Sequence, residues 1–207
     1  MNYLVLIGDI VSSKKILQRE QTQEKLNSVL LKLSKTNTNI ESPYTITLGD
    51  EFQAVFSQAD NVFFEAFEIL AAVYPEKIRF SFGVGNILTP INHQQALGMD
   101  GPAFYYARQG MEYLKRSDEL FSMEGLETPC TGLVKESLCL FSYTSRNWNL
   151  NRIRTFVSLC QNNDVQKIAG ELQVSDKAIY KTIAAGNLHN NCRLVTEIIR
   201  IVNENLK

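Results

Sequence analysis

Two histidines, one tryptophan and four cysteines with no C-x-x-C spacing leave little from which to build a zinc centre or a Cys/His catalytic pair. His93 and His189 stand far from any ligand cluster. Cys130, Cys139, Cys160 and Cys192 each lie beside apolar residues or in a helical pattern, so they are expected to be small buried hydrophobes without bonds between them. No apolar run is long enough for a membrane span. The opening "MNYLVLIGDI" lacks a basic flank and meets Asp9 too early for a signal peptide, so it reads as a buried strand and the chain as cytoplasmic. There is no low-complexity tract and no internal repeat, and 44% hydrophobic with 21% charged residues is the composition of a packed globular protein. A net charge of −1 excludes a strongly basic surface overall, yet residues 147–207 carry +3 and residues 1–146 carry −4. The mildly basic tail points to an anionic partner for that part of the chain.

What is present divides 207 residues into one medium and one small unit, expected at 1–146 and 147–207. "YLVLI" at 3–7 is a continuous apolar run, as in a strand buried on both faces. Ser12 or Ser13 can cap a helix running to about Ser34, with Leu26, Val29, Leu30 and Leu33 on one stripe. Strands follow at 44–48 and 51–56, then a helix over 58–74 and a strand over 77–87. This β-α-β-β-α-β order is an α+β, ferredoxin-like sheet. A helix opening at Pro102 and a strand near 119–123 complete it. In the tail, "VQKIAGELQVSDKAIYKTIAAG" reads as a helix-turn-helix, with Val165, Ile168, Ala169 and Leu172 on one inward face. Ser175 caps the second helix there, which leaves Lys177, Tyr180 and Lys181 outward for DNA.

The hairpin "TITLGDEFQAVF" places a glycine and two adjacent carboxylates at its turn. Gly49 suits the positive φ of a type II′ turn, and acidic residues at an exposed tip need no further reason. In a split βαβ sheet, however, the end of the first strand lies beside this hairpin, so Asp9 comes close to Asp50 and Glu51. Converging carboxylates repel unless a cation separates them, and hard oxygen ligands with open positions suit Mg²⁺ shared with substrate phosphates. The segment after Asp9, "IVSSKK", would open a helix whose free N–H groups favour a phosphate chain, with Lys14 and Lys15 adding charge. Val11, Ser12, Ser13 and Lys14 are therefore the expected phosphate-binding residues.

"GDIVSSKK", "TLGDEFQAVF" and "IRFSFGVG" together resemble the catalytic core of class III nucleotidyl cyclases over roughly residues 3–123, and the hairpin also resembles that of the GGDEF-type diguanylate cyclases. Over its whole length, with "GMDGPAFYYAR", the chain resembles the SatD family. The resemblance implies a cyclase-type sheet, two ions of Mg²⁺ or Mn²⁺ held by Asp9, Asp50 and the Ile10 carbonyl, Glu51 as an extra ligand, a nucleoside triphosphate and a homodimer. Several positions depart from it. Ile46 stands where a class III lysine reads the purine, and Tyr105 and Gln109 stand where an Asn and an Arg stabilise transition-state charge. Arg108, one residue out of register, is the remaining candidate catalytic cation. Leu48 replaces the second glycine of GGDEF enzymes, which lets the nucleotide approach the backbone. These observations favour a regulator with a metal-nucleotide domain and a tail contacting DNA or protein. An active nucleotidyl cyclase or other nucleotidyl-transfer enzyme and a non-catalytic association module are the alternatives.

Overall fold

The computed structural model describes residues 1–207 apart from the side chains of Lys15 and Leu48, so the readings of those two side chains lie outside the described residues. The strands β1 (Tyr3–Ile10), β2 (Ile40–Leu48), β3 (Glu51–Phe56), β4 (Ile78–Gly85) and β5 (Phe121–Glu124) form one sheet in the order β2-β3-β1-β4-β5. Among the described residues only β4 and β5 run parallel, and the helix between them makes the crossover that a parallel pair requires. The first four strands reproduce the expected ferredoxin-like arrangement, with β5 added at the β4 edge.

Alternation along β1 explains its continuous apolar run. Leu4, Leu6 and Ile10 join the larger core beneath α1 (Arg19–Thr36) and α2 (Val62–Val73), while Val5 and Ile7 join a smaller core beneath α3 (Pro102–Arg116). Both faces of the sheet are thus covered, and no position of the strand interior is left for a polar side chain until the end is reached. The crossover helix α3 sits very close to the sheet. A β-carbon on Gly83 would meet the Ala103 carbonyl oxygen at 2.2 Å and the Ala107 nitrogen at 2.4 Å, and one on Gly110 would meet Ser81 Oγ at 2.3 Å. The serines fasten this approach: Ser81 Oγ donates to the Ala107 carbonyl at 2.7 Å and Ser122 Oγ to Ser81 Oγ at 3.0 Å.

Beyond the sheet, α4 (Thr131–Ser145), α5 (Leu150–Cys160), α6 (Val165–Leu172), α7 (Asp176–Gly186) and α8 (Leu188–Leu206) complete the chain. Their anchor is aromatic. The Phe67 ring of α2 lies 5.4, 5.5, 5.8 and 4.8 Å from those of Phe121, Phe141, Trp148 and Phe156. This cluster crosses the 146/147 position, so the helical tail and the sheet share one core, and rings packed at such separations contribute beyond their buried area.

Two local expectations are corrected. The helix does not start at Ser12 or Ser13: residues Ser13–Lys15 make a single 3₁₀ turn, Ser12 is left-handed (φ 55°), and α1 begins at Arg19 with no side-chain cap from either serine. No described side chain between Ser12 and Gln21 is fully buried and Ile16 alone packs against the core there, so the buried face that docks a helix begins with Thr22 and Leu26. The cysteines are not all unpaired, because Cys160 at the end of α5 is bonded to Cys192 on α8 across 32 residues of sequence. Helix packing, not spacing, creates that pair. Cys130 is exposed and Cys139 half-buried.

One buried carboxylate lies within the core beneath α2. Glu65 accepts from Asn37 Nδ2 and from the Tyr44 hydroxyl, each at 2.7 Å, and burial raises its pKa from the usual 4.5 to about 6 although both donors pull the other way. A raised carboxyl pKa means that the folded chain holds the proton more tightly. Its favourable contribution is full below pH 4.5 and is lost as pH rises through 6. Urea unfolding of wild type and Glu65→Gln should therefore show wild type losing about 2 kcal/mol relative to the variant between pH 4 and 7, from roughly 1.4 kcal/mol per pKa unit; a constant difference would contradict the assignment.

Candidate functional site

β1 lies between β3 and β4, and its register sets the site. Asp9, the first polar side chain on the α3 face of the strand, pairs across to Glu51 on one side and Arg79 on the other. All three side chains emerge on that face by strict alternation. Arg79 Nη1 donates to Asp9 Oδ2 at 3.1 Å, while its Nε donates to the Leu114 carbonyl in the last turn of α3 at 3.0 Å. The helix end thus orients the guanidinium. The same end brings Lys115 Nζ to 3.8 Å from Glu51 Oε2, and Thr47 Oγ1 donates to Glu51 Oε1 at 3.3 Å.

The hairpin tip is fixed from two directions. Gly49 adopts φ 64°, Asp50 does not, as a type II′ turn requires. Gln23 of α1 donates to the Gly49 carbonyl at 3.1 Å, and the Ile10 N–H donates to the Asp50 carbonyl at 3.4 Å. Asp9, Ile10, Asp50 and Glu51 are therefore assembled at one end of the sheet. Burial pushes the Asp9 carboxyl above its ordinary range, opposed by the Lys115 and Arg79 cations and reinforced by the Asp50 charge. The donor set is of the hard-oxygen type that suits Mg²⁺ or Mn²⁺. Among the described residues, though, no three such side chains stand together ready for an ion. Asp9 faces Arg79 and Glu51 faces Lys115.

The other expected residues are spread more widely. Val11 and Ser12 line a 440 Å³ cleft with Lys25, whereas Ser13 is half-buried and Lys14 exposed. Without a helix starting there, this loop does not present the N-terminal dipole expected of it. Arg108 is exposed on α3 six residues before Leu114, which is about 9 Å of helix rise from the end that meets Asp9. Tyr105 is also exposed, and its hydroxyl donates to Asp100 at 2.8 Å. In the tail, Asp164 caps α6, Gln173 ends it in the left-handed region, and Ser175 Oγ accepts from the Ala178 N–H at 3.3 Å to open α7. Ile179 and Ile183 are buried, and Lys177, Tyr180 and Lys181 are exposed together.

Sequence reasoning missed Arg79 and Lys115. Arg79 was legible, since alternation in "KIRFSFG" sets it opposite Ile78 and Phe80 and antiparallel pairing sets it beside Asp9. Lys115 was not, because its position depends on how far α3 extends over the sheet.

A sequence profile of the SatD family matches residues 3–193. The chain belongs to the SatD family. No curated protein matches it. Among solved structures, this SatD-family chain is similar to a bacterial light-regulated adenylyl cyclase at 14% identity, covering 59% of this chain and 74% of that one with a TM-score of 0.44. It is also similar to the catalytic core of a rhodopsin-guanylyl cyclase with converted specificity in complex with ATPαS, at 17% identity over 54% and 71% of the two chains and a TM-score of 0.37.

The two ion pairs at this strand end of the SatD-family chain differ in strength. The Arg79–Asp9 side chains are 17% and 15% exposed and hydrogen-bonded, whereas Lys115 is 39% exposed and 3.8 Å from its partner. Removing the guanidinium takes the one ion-paired hydrogen bond from a partly buried carboxylate, whereas removing the long Lys115 contact leaves Glu51, 17% exposed, with its hydrogen bond from Thr47. Arg79→Met should therefore lower unfolding stability by about 3 kcal/mol and Lys115→Met by less than about 1 kcal/mol in denaturant titrations at neutral pH. Equal losses would contradict this ranking.

Proposed function

We propose that this SatD-family chain is a regulatory protein that binds a divalent metal-nucleotide complex at the strand end bearing Asp9, Asp50 and Glu51, and contacts DNA or protein through α6 and α7. The observation that carries this reading is the strand register, which sets Asp9 beside Glu51 with the Asp50 charge in reach. Mg²⁺ or Mn²⁺ bound there would neutralise carboxylates and phosphate oxygens together. Asp9 and Asp50 are its proposed ligands, with the Ile10 carbonyl and Glu51 completing the set. Entry of an ion displaces Lys115 first, since that pair is the longer and more exposed. Arg79 stays, held by the Leu114 carbonyl, and remains a cation for phosphate. The Val11–Lys14 loop flanks the same strand end as a phosphate contact.

Weak turnover is expected even with nucleotide bound. Charge developing on transferring phosphate needs aimed donors, and losing one typically costs on the order of a hundred- to a thousandfold. Tyr105 and Gln109 supply no cation. Arg108 is too far along α3 to serve Asp9 of its own chain, so it can act only across a homodimer. A second reading, a non-catalytic association module, is favoured by the observation that Asp9 and Glu51 already have cationic partners. Calorimetric titration of MgATP and MgGTP separates the two. Wild type should bind at least one of them, and Asp9→Asn and Asp50→Asn should each weaken it tenfold or more; unaltered affinity in both variants leaves the association reading.

The exposed trio on α7 supports the nucleic-acid part of the proposal. Lysines that neutralise phosphates make affinity fall with salt, by a log–log slope of about 0.9 per contact. Duplex DNA should bind more weakly as salt rises, and Lys177→Ala combined with Lys181→Ala should reduce that slope by about 2. Ser175 and Tyr180 flank these lysines. Absence of DNA binding at low salt assigns α6 and α7 to a protein contact instead.

A further inference from the structure

A second concave site adjoins the first. Where β1 leaves the sheet, a 370 Å³ groove opens between the start of β4, the 117–120 connection and the link from α4 to α5. Its floor is tied down by backbone bonds from the Val11 N–H to the Lys77 carbonyl at 2.8 Å and from the Phe80 N–H to the Leu120 carbonyl at 2.7 Å. Three cations line it: Lys77, Arg79 and Arg146. Arg79 is the one shared with Asp9. Among the described residues Lys77 and Arg146 have no carboxylate within ion-pair distance, and Arg146 lies over the Tyr143 ring at 4.9 Å. The two acids of the wall are not equivalent. Glu119 already accepts from the Tyr113 hydroxyl at 2.6 Å, whereas Asp118 is exposed.

We infer that this groove takes the phosphate chain of the nucleotide, an assignment that rests on the metal-nucleotide reading above for the neighbouring carboxylates. Lysine offers a compact charge and arginine a planar fork matched to phosphate oxygens, so two unpaired cations facing a third across one hollow favour a polyanion over a single carboxylate. Arg79 joins the two halves of the site. It contacts Asp9, where the metal belongs, and lines the groove where the phosphates lie. Asp118 remains as an acceptor for sugar hydroxyls. The chain thus draws its phosphate cations from β4, from the residue that precedes it and from the α4–α5 link, where Tyr105 and Gln109 of α3 offer none. Arg146 also ties the ligand to the tail. Its N–H donates to the Ser142 carbonyl at 3.0 Å, and the buried Trp148 two residues on packs against Phe67 and Phe156.

The test uses sodium tripolyphosphate in EDTA and, separately, MgATP, titrated calorimetrically into the full chain. Wild type should bind tripolyphosphate without metal. Lys77→Ala with Arg146→Ala should weaken that binding at least tenfold, Arg146→Lys should retain most of it, and Asp9→Asn, which releases Arg79, should not weaken it. Circular dichroism melts confirm that each variant is folded, and the single variant Arg146→Gln, expected to weaken tripolyphosphate binding several-fold, keeps the question answerable if the double variant is not. No tripolyphosphate binding by wild type, or equal binding by the double variant, overturns the groove. If Asp9→Asn abolishes MgATP binding while the double variant keeps it, the groove fails and the metal site stands. If the double variant loses both ligands while Asp9→Asn keeps both, the groove stands and the metal site fails.

Discussion

The register of β1 between its two antiparallel neighbours is the constraint on which the site depends. Gly8 pairs with Phe52, and a β-carbon on Gly8 would fall 2.2 Å from Cζ at the tip of the Phe52 ring, so the ring leaves room there for a glycine only. A slip of one residue would drive that ring into a side chain and turn Asp9 into the larger apolar core. With the register held, Asp9 meets Glu51 and Arg79 on the face that α3 covers. The Asp9–Arg79 contact follows from that placement.

The close seating of α3 is the second constraint, and it determines the electrostatics. Because Gly83 and Gly110 let the helix rest on β4 and β5, its last turn reaches the strand end, where the Leu114 carbonyl receives Arg79 and Lys115 approaches Glu51. Carboxylates that would repel one another are balanced by cations of the same chain. The Lys115 pair is the longer of the two and the Arg79 pair the hydrogen-bonded one. The fold thus keeps Asp9 and Glu51 together by facing each with a cation of its own.

The tail is attached through rings. Phe67 on the sheet-covering helix, Phe141 before the link and Trp148 and Phe156 after it form one cluster, so the α4–α5 link is pinned on both sides. Arg146 lies between these anchors, at the rim of the phosphate groove. Further out, the Cys160–Cys192 bond joins α5 to α8, and α7 is left with its apolar residues inward and Lys177, Tyr180 and Lys181 outward.

Much of this could be read from the residues alone. Period-two alternation and a two-faced apolar run specify β1, β3 and β4, "GDE" specifies the hairpin turn, and Ser175 with its following apolar spacing specifies α7, because each is a local property of backbone geometry and side-chain polarity. Their order then specifies a split βαβ sheet, and with it the meeting of Asp9 with Asp50 and Glu51. Other features are not local. Serine at positions 12 and 13 looks like a helix cap, yet the helix waits until an apolar stripe can dock at Thr22 and Leu26. Cysteines 32 residues apart show no pairing signal until α5 and α8 pack together. Lys115, Arg79 and Arg146 acquire their roles from how far α3 reaches, from strand pairing and from where the aromatic cluster pins a link. Sequence by itself therefore determined which acids stand at the strand end and, through strand alternation and pairing, that Arg79 stands beside Asp9; tertiary packing alone decided the approach of Lys115 and the place of Arg146, since those depend on distances between elements that no local pattern encodes.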